Sequence, residues 1–177
     1  KGAHGGLPTH VASDPRWRWI EVPNVGREAE TVARHLYEEY DALAPMTAFL
    51  QGSPRRHNGG VLDRLRLEIA SPRRNATGCT VLGAPMISVQ IDGCPHHCGL
   101  ALQATCERLQ LPRCAAPFRF AAGGMMAVSR ERARRLRRET YKLMFTQLHG
   151  EARYTKRAPL YPYIYERLWK RVFACKG

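Results

Sequence analysis

Apolar residues recur at three- and four-residue intervals from Ala29 through Val32, Ala33, Leu36, Tyr37 and Tyr40 to Leu43, which predicts an amphipathic helix. Glu28 and Glu30 in its first turn suit the positive helix end, and Pro45 stops it. Ahead of it, Trp17-Arg18-Trp19-Ile20-Glu21-Val22 alternates loosely and predicts a strand closed by Pro23. Met46-Thr47-Ala48-Phe49-Leu50 is a short, continuous apolar run, the pattern of a buried parallel strand. A turn-rich stretch from Gln51 to Gly60 then leads to a second helix, Val61 to Ala70, with Leu62, Leu65 and Ile69 on one face.

After a basic loop from Ser71 to Gly78, Thr80 to Ile91 supplies one or two strands, broken near Gly83 and Pro85. A helix from about Leu100 to Leu109, a strand Phe118-Arg119-Phe120 and a turn at Gly123-Gly124 follow. Ser129 is placed to cap a long helix reaching about Leu148, with Leu136, Leu143, Met144 and Leu148 for packing. The last amphipathic stretch runs from Ile164 to Phe173. Strands alternating with helices predict an α/β fold: one three-layer domain over residues 1–177, its mixed, mostly parallel sheet flanked by helices. Its ends are a loop over 1–15 and a basic helical part over 129–177. The length suits a single domain, and no apolar run approaches the roughly 18 residues of a membrane span.

Charge changes this picture. The chain holds 28 Lys plus Arg against 15 Asp plus Glu, a net charge of +13, and most of the excess lies beyond Ser129. Such a field attracts phosphates on nucleotide sugars, nucleic acid or anionic surfaces; a solvated basic face is the plain alternative. Arg130, Arg132, Arg134, Arg135, Arg137, Arg138 and Lys142 crowd one predicted helix, a density that an anion would relieve. Arg130, Arg134, Arg135, Arg137, Arg138 and Lys142 are therefore candidates for nucleic-acid or anion contact.

The six cysteines lack a clean zinc spacing. Cys94-Pro95-His96-His97-Cys98 packs four ligand types into five residues, but a tetrahedral site would need Cys106 or Cys114 to complete it. No metal site is assigned, and free, partly buried thiols are the expected state. Disulfides are the alternative in an oxidising compartment, where Asn75-Ala76-Thr77 would also be a glycosylation sequon.

Pro23-Asn24-Val25-Gly26-Arg27-Glu28 opens the first helix and leads on to Gln51-Gly52. A glycine turn lets backbone approach a ligand, the helix N-terminus offers N–H groups to an anion, and Arg27 adds a two-pronged phosphate contact. Asn24, Gly26, Arg27, Gln51, Gly52 and His57 are thus the candidate donor and phosphate residues. Asp92, His96 and His97 are the nearest candidates for a base, against the plainer readings of a turn and an exposed loop. Glu166, one helical turn before Lys170, reads first as its i,i+4 salt-bridge partner, with a catalytic role as the alternative.

Asn24-x-Gly26-Arg27-Glu28, the helix ending in Tyr40-Asp41-x-Leu43, and Phe49-Leu50-Gln51-Gly52 resemble an uncharacterised family, domain of unknown function 3431. So do Asp92-Gly93-x-Pro95-His96-His97, Phe118-x-Phe120-x-x-Gly123, Ala127-Val128-Ser129-Arg130-Glu131-Arg132 and Tyr165-Glu166-Arg167-Leu168-Trp169. That family is similar to glycosyltransferases of the A-type fold, and the resemblance implies transfer of a sugar from a nucleotide donor to a glycan acceptor. It also implies that this chain lacks the first strand of that fold. Gln51-Gly52-Ser53 stands where the fold places an Asp-x-Asp metal site, so a divalent-metal cofactor is doubtful and no other cofactor is implied.

Two function classes follow. One is a glycosyltransferase-like protein that binds a nucleotide sugar without the usual metal site. The other is an inactive relative serving as a basic structural subunit of a larger assembly, with partner proteins and RNA, as in a ribonucleoprotein.

Overall fold

A computed structural model describes residues 14–15, 20–22, 25–70, 78–151 and 160–175. The expected strand at Trp17–Val22 lies partly outside these residues, and Ile20, Glu21 and Val22 are not in a strand. Asn24, the Asn75 sequon and most of the basic loop before Gly78 also lie outside the described residues.

Helix α1 (Arg27–Glu38) buries Ala29, Val32, Ala33 and Leu36, the face set by the helical spacing. It packs chiefly against α6 (Arg138–Glu151), whose Tyr141, Met144 and Leu148 are fully buried. The last helix, α7 (Leu160–Val172), lies over strand β4 (Phe118–Ala121) and contributes Ile164, Tyr165, Leu168 and Trp169 to the same core. Tyr161, Tyr165, Trp169 and Phe173 stack in sequence along α7, each pair 5.7–6.1 Å apart.

The strands overturn the expected mostly parallel three-layer sheet, and with it the glycosyltransferase A-type fold that the resemblance implied. Strand β5 (Met126–Ser129) is central and pairs antiparallel with both β1 (Met46–Phe49) and β2 (Cys79–Val81). A separate two-stranded sheet pairs β3 (Met86–Val89) with β4, also antiparallel. The reason lies in β5, which the hydrophobic pattern hides. Met126 and Val128 face the main core while Ala127 faces a smaller one, so both faces are buried and no alternation shows. That smaller core holds Val61, Leu82, Met125 and Ala127, with Leu62 and Leu65 of helix α3 (Val61–Ala70) packed on it. Strand β1 is therefore an antiparallel, partly buried neighbour of β5 and not a buried parallel strand.

Two further expectations change. The long helix from Ser129 is two helices, α5 (Arg130–Ala133) and α6, with a break at 134–137. Ser129 does cap the first of them, its Oγ accepting from the Arg132 N–H at 3.3 Å. The break has an identifiable cause: the Tyr141 hydroxyl donates to the Ala133 carbonyl (2.6 Å) and Tyr40 to the Leu136 carbonyl (2.9 Å). These bonds satisfy carbonyls that a continuous helix would have bonded itself.

The cysteines are not free thiols. They form three disulfides, Cys79–Cys175, Cys94–Cys98 and Cys106–Cys114, with Cα separations of 4.9, 4.3 and 5.5 Å. Cys79–Cys175 ties the start of β2 to the residues after α7. The other two close short loops on either side of helix α4 (Leu102–Arg108). In this state Cys94 and Cys98 are bonded to each other and offer no thiolates to a zinc ion. Among the described residues no helix is long and apolar enough to cross a membrane.

Candidate functional site

Gly26 makes the corner that opens α1. Its φ is +66°, and a Cβ there would lie 2.7 Å from the Glu30 Cβ and 3.1 Å from that of Leu148. The glycine therefore lets α6 approach the head of α1, a packing reason beyond the ligand approach expected from the sequence. Arg27 follows at φ +54°, a left-handed conformation that costs a residue with a Cβ about 1–2 kcal/mol. No side chain caps this helix end.

The corner faces a concavity. Arg27, Glu28, Gln51, Gly52, Ser53 and His57 line an open cleft of about 1070 Å³, floored by Val32, Ala48 and Phe49. Four sequence candidates, Arg27, Gln51, Gly52 and His57, are thus brought to one cleft, with Gly26 directly behind it. The short helix α2 (Pro54–His57) carries Arg55, Arg56 and His57, all exposed, of which His57 lines the cleft. Ser53 is shared between this cleft and a shallow neighbouring hollow lined by Arg55 and Arg56.

Gln51 and Glu28 of the cleft lining connect to a polar network beside it, whose Glu166 lines a separate small cavity with Phe120 and Trp169. Gln51 Nε2 donates to Glu28 Oε1 at 2.8 Å, and its amide lies 3.3 Å from where a Cβ on Gly123 would be. The Gly123 N–H, at φ +84°, donates to Glu166 Oε1 at 2.8 Å. Glu166 keeps about 21% of its side chain accessible, and Arg167 Nη1 stands 3.4 Å from its other oxygen. Burial raises the Glu166 carboxyl above its usual range; the Gly123 bond and Arg167 oppose this, and the nearby Glu28 carboxylate adds to it. The sequence position of Glu166 suggests a salt bridge to Lys170 first and a catalytic role second; the bond to Gly123 is not foreseen. Gly123 and Glu166 are 43 positions apart, with no local signal linking them.

His97 joins from the loop before α4. Its ring stacks on Tyr163 at 4.1 Å, and Arg27 lies over the same tyrosine at 5.0 Å. Its Nδ1 is 2.8 Å from Arg167 Nη2. His97 is itself exposed, as are the other two base candidates, which lack its contacts with Tyr163 and Arg167. Asp92 is exposed, and its Oδ1 accepts from the Cys94 N–H at 3.0 Å, the bond of a local turn. His96 is exposed in the same loop.

The basic helix candidates divide as well. Arg130 Nε donates to the Leu43 carbonyl (2.6 Å), Arg134 to the carbonyls of Tyr40 and Asp41 (3.2 and 2.8 Å), and Arg138 to that of Tyr37 (3.0 Å). These guanidiniums bind carbonyls at and just beyond the C-terminal end of α1, where the helix dipole favours cations. Arg138 and Lys142 also lie over the Tyr37 ring at 5.2 and 5.9 Å. Arg135 and Arg137 are exposed. Much of the charge density thus has an internal structural use that relieves the expected repulsion.

No protein-family model, curated protein or solved structure matches the chain.

Proposed function

We propose that the chain binds a nucleotide sugar in the cleft at the head of α1 and transfers the sugar to an acceptor hydroxyl. The observation that carries this reading is the meeting of Arg27, Gln51, Gly52 and His57 around one cleft, beside which Glu166 holds the Gly123 turn that packs on Gln51. Arg27 meets the diphosphate through charge-assisted bonds to phosphate oxygens. Glu28 and Gln51 offer an acceptor and an amide to sugar hydroxyls. A volume of about 1070 Å³ is ample for such a ligand.

Glu166 is the base of this proposal. A carboxylate raised in pKa by burial is better matched to proton removal near neutral pH than an exposed one. It takes the acceptor proton as the acceptor oxygen bonds to the sugar's anomeric carbon. The bond from that carbon to the diphosphate breaks, and the leaving nucleoside diphosphate is held by Arg27. Full pairing of the six cysteines suits folding in an oxidising compartment.

Calorimetry with nucleoside diphosphate sugars tests the binding half. Arg27→Ala is expected to weaken affinity about tenfold or more, the value of one charge-assisted phosphate contact. Glu166→Gln is expected to keep binding and lose turnover. No binding of any nucleoside diphosphate sugar to the full chain would end the proposal.

A further inference from the structure

Arg167 is 2% exposed; both terminal nitrogens have polar partners, while its buried Nε has none among the described residues. Its guanidinium lies over Phe120 at 4.6 Å and 5.7 Å from the Tyr163 ring centre. Nη1 donates to the Tyr163 carbonyl at 2.7 Å and faces Glu166 Oε2 at 3.4 Å. Nη2 points at His97 Nδ1, 2.8 Å away. A guanidinium has donors only, so in this contact the imidazole nitrogen must accept. A histidine whose Nδ1 accepts carries its single proton on Nε2.

We infer that Arg167 is a positioning residue that fixes His97 as the neutral Nε2–H tautomer, so that His97 serves the site as a hydrogen-bond donor and not as a base. A proton on Nδ1 would set N–H against N–H, and a doubly protonated ring would add a second cation beside the guanidinium. The groups facing His97 point the same way: Arg167 from α7, Arg27 from α1 and His96 from its own loop are all cationic or able to become so. Burial is the first cause holding its pKa below the ordinary histidine value, followed by Arg167, His96 and Arg27. Tyr163, over whose ring Arg27 also lies, fixes the imidazole plane by stacking and leaves Nε2–H as the ring's donor. Two consequences follow for the reaction proposed above, on which this part rests. The candidate base His97 is removed from that role, which leaves proton removal to Glu166. The Nε2–H is available to an oxygen of the leaving phosphate or the sugar.

Long-range proton–nitrogen correlation NMR of the imidazoles in the full chain tests the tautomer with no ligand present. The expected result is an Nε2–H tautomer for His97, titrating below the ordinary ~6.5. Arg167→Lys keeps a buried cation but has no lateral donor in that position; it should mix the tautomers and move the titration of His97. Tyr163→Leu removes the stack and leaves Arg167, and should preserve the tautomer. An Nδ1–H tautomer in the native chain, or a titration at or above ~6.5, would overturn the inference. The ligand arm uses His97→Gln, whose amide can accept from Arg167 and still donate. Sugar transfer clearly higher in His97→Gln than in His97→Ala supports the donor role, whereas equal losses of about 100-fold in both, the usual worth of a general base, contradict it. Failure of the native chain to bind nucleotide sugars would remove the transfer proposal and leave the tautomer result standing.

Discussion

Replacing both members of the Cys79–Cys175 bridge by alanine should be the most destabilising disulfide change in the chain. The two residues are 96 positions apart, so the bond removes a large closed loop from the unfolded ensemble. Chain-entropy reasoning gives about 4.7 kcal/mol for a loop near 100 residues, and about 2 kcal/mol for the four-residue separation of Cys94–Cys98. For a chain of this length each kcal/mol moves the melting temperature by roughly 2–4 °C, so the two double variants should differ by roughly 5–10 °C. Urea unfolding without reductant is the assay. The Cys79→Ala/Cys175→Ala chain should also show a steeper denaturant slope, because its unfolded state exposes more surface. Equal losses in the two variants would refute the reasoning, since loop length would then not govern the effect. So would detection of free thiols in the denatured, unreduced native chain.

Gly26→Ala places a Cβ against Glu30 and Leu148 at a left-handed φ and should cost about 2–4 kcal/mol by thermal unfolding, with α6 displaced from the head of α1. Tyr141→Phe removes the hydroxyl from a fully buried bond to the Ala133 carbonyl and should lose about 1–3 kcal/mol in urea titrations. Arg130→Ala leaves the Leu43 carbonyl without its guanidinium and should lose about 1–2 kcal/mol, with a smaller loss for the more exposed Arg134→Ala. The pH dependence has a defined sign. His97 has a folded pKa below its unfolded value, so its contribution is present above ~6.5 and is lost as pH falls toward the folded value. His97→Gln should remove that slope, measured as melting temperature against pH.

Local structure was largely legible. The 61–70 helix, the break between β2 and β3, the 118–121 strand and the Ser129 cap follow from periodicity and turn residues. What stayed hidden depends on distant partners. β5 is four residues buried on both faces, too short and too uniformly apolar to show a period, and without it the strand directions are lost. No breaker marks the interruption at 134–137; a tyrosine 96 positions away takes one of its carbonyls. The site was half visible. Arg27, Gln51, Gly52 and His57 could be grouped from turn chemistry near one helix end, whereas Glu166 bonds a backbone N–H 43 positions earlier. His97 was legible as a chemical group, but its protonation is set by an arginine 70 positions on.

Backbone amide shift mapping during titration with a nucleoside diphosphate tests the phosphate cleft most directly. Saturable shifts centred on residues 26–31 and 50–57, abolished in Arg27→Ala, are expected. Shifts confined to the arginines of 130–142, or none at millimolar ligand, would contradict the assignment.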